Sequence, residues 1–122
     1  MCEYVMNTSA LIRVARQQVK LATRGLDRDG LIALYLDEIP VEISRRVARR
    51  RFGFHHSRGV GDVGRIVVNL GMHATEAEFL NTLYHELAHA VAFWLHGREA
   101  DSHGPKWKAI MVQLGQKPER CG

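Results

Sequence analysis

Cysteine is almost absent from this chain of 122 residues: Cys2 and Cys121, each beside a chain end, are the only two. That excludes a disulfide-built scaffold, and thiols at opposite ends lack the paired spacing of a four-cysteine zinc ribbon, so both read as reduced thiols. Long hydrophobic runs are missing as well. The most apolar stretch, 79–95, is broken by Asn81, His85, Glu86 and His89, and nothing approaches the roughly 18 apolar residues of a membrane span. Near the start, Glu3 comes early and neither a basic segment leading into a clean apolar stretch nor a small-residue cleavage site follows. No secretory signal and no membrane association are expected, and a cytoplasmic location is. There is no repeat, no low-complexity tract and no Pro/Gly/Ser linker, so residues 1–122 read as one domain whose 46% apolar content supplies a modest core.

Charge is present but uneven. The net charge is +4, and residues 1–60 hold eleven Lys/Arg against six Asp/Glu, whereas 61–122 hold six against seven. Within the basic half, the stretch 45–58 carries Arg45, Arg46, Arg49, Arg50, Arg51 and Arg58 and no acid. Two readings of it stand side by side: a polyanion-binding surface, and an edge strand kept from aggregating by its charge.

Periodicity divides the chain into elements. From Thr8 or Ser9, the residues Leu11, Ala15, Val19 and Ala22 recur at helical spacing up to about Gly25. Leu31–Leu36, before Pro40, is ambiguous between helix and strand, and helix is the preferred reading. Val41–Ile43, the segment through Phe52, Gly53 and Phe54, and Arg65–Leu70 read as three short strands, with Gly59, Gly61 and Gly64 as turn residues rather than a phosphate loop. Thr75 and Glu78 fit a capping box that opens a long helix over 76–96, ended by Gly97. Its apolar stripe is Phe79, Leu80, Leu83, Leu87, Ala90 and Trp94, with Trp94 expected in the core. A last helix starts at Pro105, carries Trp107, Ile110, Met111 and Leu114, and stops at Gly115.

On the opposite face of the long helix stand His85, Glu86 and His89, spaced as HExxH with small Ala88 and Ala92 nearby. Residues four apart are neighbours on a helix surface, so two imidazoles can converge on one Zn²⁺, while Glu86 flanks the ion as general base for a water whose pKa the metal lowers towards about 7. Chance alone would produce this string in a chain of this composition with a probability of about 2–3%, so its context matters. Three downstream residues compete as third ligand. His96 lies about 10.5 Å further along the axis and cannot reach the ion from an intact helix. A metzincin-type break would need Gly at the position of Ala92 and His at that of Leu95, and neither is there. Glu99 has a return of only about 10–11 Å with no slack for the turn, whereas His103 can span about 23 Å and sits just before Gly104-Pro105. His85, His89 and His103 are therefore the expected ligands of one zinc ion, with water in the fourth position.

The strings His85-Glu86-Leu87-Ala88-His89-Ala90 and His103-Gly104-Pro105-Lys106-Trp107, followed by Met111, resemble the SprT-like (Spartan-type) metalloprotease domain. The family pattern is HExxH, a variable insert, HGxx plus an aromatic, and a methionine. Its resemblance covers roughly 40–115, with the three strands falling where the family places them. It implies an α+β, zincin-like fold: an N-terminal helix, a small three-stranded sheet, the long HExxH helix and a C-terminal helix. It also implies zinc on His85, His89 and His103, general base Glu86, and proteolysis of proteins bound or crosslinked to DNA. Trp107 stands where Phe is commoner, and no zinc ribbon or further DNA-binding subdomain follows before Gly122. DNA contact, through Arg45, Arg46, Arg49, Arg50, Arg51 and Arg58, is thus expected to be weak and sequence-independent.

Two other functions compete. One is a regulatory zincin that cleaves a single repressor or partner independently of DNA; the other is a basic DNA-binding module with structural zinc. Against the latter, structural sites usually close with a fourth protein ligand and need no base. His55 and His56 read as surface residues, His73 has no role, and Trp107 reads as core, with support of His103 or a cleft wall as alternatives.

Overall fold

The computed structural model describes residues 7–26, 30–44, 53–56, 64–69, 75–96 and 104–116. Both cysteines, His73, Gly97, Glu99, His103 and all six arginines of the 45–58 stretch lie outside them. Four α-helices and one small sheet make up the described fold. In chain order they are α1 (Thr8–Ala22), α2 (Leu31–Glu38), β1 (Val41–Ser44), β2 (Gly53–His56), β3 (Arg65–Asn69), α3 (Glu76–His96) and α4 (Pro105–Gln113).

Capping fixes the helix ends. α1 starts at Thr8, where the helical spacing placed it, and is capped by Asn7, whose side chain accepts the Ala10 N–H at 3.1 Å. It ends at Ala22 rather than near Gly25. Thr23 is buried there and its hydroxyl donates to the Val19 carbonyl at 2.7 Å, which satisfies the last turn and lets the chain tighten into a single 3-10 turn over Arg24–Leu26. The ambiguous segment is helical, and Gly30 precedes it with φ +69, a backbone region where side chains are strained. α3 opens at the expected cap, the Glu78 N–H donating to Thr75 Oγ1 at 3.1 Å. α4 has Pro105 in its first turn and closes in a Schellman motif: Gly115 N–H to Val112 O and Gln116 N–H to Met111 O, both 2.9 Å, with Gly115 at φ +72.

The sheet order is β1-β3-β2, so β3 is central, parallel to β1 and antiparallel to β2. Register pairs Val41 and His55 with Ile66, and Ile43 and Gly53 with Val68. Directly paired residues project from the same side of a sheet, and Ile66 and Val68 are buried, so this side faces the core. His55 is therefore not the surface residue expected. It is half-buried with its ring 5.9 Å from that of Phe93 on α3.

α3 is the hub against which α1, α2, α4, β2 and β3 all pack. Phe79, Leu83, Leu87 and Ala90 are buried as the stripe requires. Trp94 is not: it is 42% exposed and stacks on Tyr35 of α2, with ring centroids 4.7 Å apart and planes at 19°. The expected core tryptophan is thus a capping aromatic near the end of the helix. Arg16 of α1 donates to the Leu36 carbonyl, and Lys20 pairs with Asp37, which ties α1 to the end of α2. Burial lowers the Arg16 pKa and the nearby Asp37 partly offsets that. No helix among the described residues is long and apolar enough to cross a membrane.

Candidate metal centre

One turn of α3 brings His85 over His89, as residues four apart on a helix must stand. Their Nε2 atoms lie 3.2 Å apart, with ring centroids at 4.8 Å and planes at 73°. Glu86 Oε2 is 3.9 Å from His85 Nε2, and one candidate ligand atom from each of the three residues lies within 4.8 Å of the others. Two nitrogens each about 2.0–2.1 Å from a tetrahedral ion stand about 3.3 Å apart. The observed 3.2 Å matches that edge, and two neutral imidazoles are the right donors for a zinc-like cation. The residues present fit a metal.

The face expected to hold the chemistry is not a solvent face. His85 and Glu86 are 6% and 5% exposed, Ala88 and Ala92 are buried beside them, and only His89 of the three is half-buried. The cause is α4, whose first turn covers this side of α3. Trp107, fully buried, donates its indole N–H to the His85 carbonyl at 3.2 Å. Its ring lies 5.3 Å from that of His89 at 19°, and 4.8 Å from that of His85 at 63°. Placing Trp107 in the core was right as to burial and missed these contacts. The one clue in the sequence was Pro105, which fixes the start of α4 and so sets Trp107 in its first turn.

His96, rejected as a ligand from helix geometry, ends α3 exposed to solvent. His103 and the arginines belong to the segments outside the described residues, so the structure brings together His85, Glu86 and His89 from the expected set.

No curated protein and no solved structure matches the chain. A family model does: that of the SprT-like family, over residues 11–121. That span runs from the first turn of α1 to beyond α4 and holds the whole His-Glu-His group. Family and geometry agree on a metal-dependent, metalloprotease-like domain, and the chain belongs to the SprT-like family.

Proposed function

We propose that the chain is a zinc-dependent endopeptidase that cleaves proteins held on DNA. The observation that carries the peptidase reading is the pair of imidazole nitrogens at 3.2 Å with a carboxylate from the intervening sequence beside them. His85, His89 and His103 hold the ion. In support of His103, it adjoins Gly104 in sequence, and the α4 turn that begins there packs against His85. Zn²⁺ at this site supplies a Lewis acid that polarises the scissile carbonyl and makes a water acidic near neutral pH.

Glu86 does the proton work. Its carboxylate takes the proton from the attacking water as the carbon–oxygen bond forms, and returns it to the nitrogen as the peptide C–N bond breaks. Burial at 5% exposure keeps that carboxylate in a poorly solvated setting, where its charge acts strongly on the reacting atoms. Among the described residues β2 lies at the sheet edge against α3, so an extended peptide can add to it as a further strand. Six arginines without an acid in 45–58 support DNA as the platform on which the substrate is held.

Peptidase assay of metal-replete protein, with and without DNA, tests this. Glu86→Gln should keep one zinc per chain and lose cleavage by a factor of about 100 or more. Unimpaired cleavage by that variant would end the role given to Glu86. DNA binding should weaken with salt, and replacing Arg45, Arg46, Arg49, Arg50 and Arg51 by alanine should flatten the log-log slope by about 0.7–0.9 for each lost contact. Absence of DNA binding and of stimulation would leave a peptidase selective for one partner.

A further inference from the structure

The carbonyl of His85 has a second duty. In an α-helix it accepts the N–H of His89, closing the turn that spaces the two histidines. A carbonyl oxygen has two lone pairs, and Trp107 Nε1 donates to the same oxygen at 3.2 Å. The indole also touches both rings, near-parallel to His89 at 5.3 Å and edge-on to His85 at 4.8 Å. An imidazole turns about a soft, roughly two-fold torsion, so the backbone alone does not set where its nitrogens point. A flat group packed against both rings does. Trp107 is itself fixed, being 0% exposed on a helix anchored by buried Ile110 and Met111.

We propose that Trp107 is the positioning residue of the metal site, clamping the ligand turn through its N–H and both ligand rings through its faces and edge. This rests on the metal-centre reading above. A merely space-filling tryptophan would need only some acceptor for its N–H. Here the acceptor lies within the ligand turn, and the same ring stacks on the second ligand.

Two measurements on the full chain test the proposal. In the parent protein, the Trp107 indole N–H resonance, assigned by its survival in Trp94→Phe, should shift on Zn²⁺ titration and saturate at one equivalent. The Trp94 indole resonance should stay in place. In Trp107→Phe, which keeps an apolar ring but has no N–H, Co²⁺ affinity read from its visible absorption bands should fall about tenfold or more, as lost outer contacts to metal ligands do. Trp94→Phe should bind Co²⁺ as the parent does. A folded Trp107→Phe with parental Co²⁺ affinity and spectrum overturns the proposal. Should that variant not fold, a Trp107 indole resonance unmoved by Zn²⁺ in the parent overturns it equally. A parent protein that takes up neither metal overturns the metal-centre reading as well, so the two failures are distinct.

Discussion

Tyr84 precedes the first histidine and is half-buried, and that burial penalises its phenolate and raises its pKa above the ordinary 10.0. The folded state therefore holds this proton more tightly than the unfolded chain. Stability from the neutral phenol is complete below the unfolded pKa and is lost as pH rises through the higher, folded one. Thermal midpoints of the parent should fall more steeply above about pH 10 than those of Tyr84→Phe, and the two should run in parallel below it. Parallel curves throughout would show that Tyr84 titrates alike in both states. At this scale the histidines were legible in the sequence because a four-residue spacing has one meaning on a helix. Trp94 was not, and Trp107 was legible only as to its burial. Periodicity gives a side chain's angle around its own helix but not the neighbour it meets, so Trp94 read as core and sits half in solvent, while the indole of Trp107 found the His85 carbonyl.

Elements were legible where end signals were local. Thr75 and Glu78 marked the start of α3, and Pro105 and Gly115 bracketed α4. The end of α1 was not, because it depends on a buried Thr23 hydroxyl taking the Val19 carbonyl, which requires the tertiary fold to bury it. Strand order was illegible for a related reason. β1 pairs with β3 in parallel across a long intervening segment, and alternation within a strand does not name its partner. His55 read as a surface residue because only the register with Ile66 turns it towards α3. The Asn7 cap has a definite worth: Asn7→Ala should cost about 1 kcal/mol in urea unfolding, and Asn7→Asp should restore most of it. A null effect of Asn7→Ala would mean that the first turn of α1 frays regardless of its cap.

The whole molecule brings Trp107 and the histidines together only when it is folded, since α4 must dock on α3 before they meet. Metal that binds the folded chain alone should stabilise it by about 2.7 kcal/mol at a free concentration one hundred times its dissociation constant. Thermal midpoints should climb with added Zn²⁺ and return on chelation; midpoints indifferent to both would show that metal does not distinguish folded from unfolded chain. The central position of α3 carries one more consequence. Local openings in proteins are drawn from segments with few packed neighbours, and α3 is covered by helices and strands together, with His85 to Ala88 buried without a break. The amide protons of that turn should therefore be among the slowest to exchange, which native-state hydrogen exchange reads directly. With the helix closed and Trp107 packed against both imidazoles, the His85–His89 turn is left little motion of either backbone or ring in the native state.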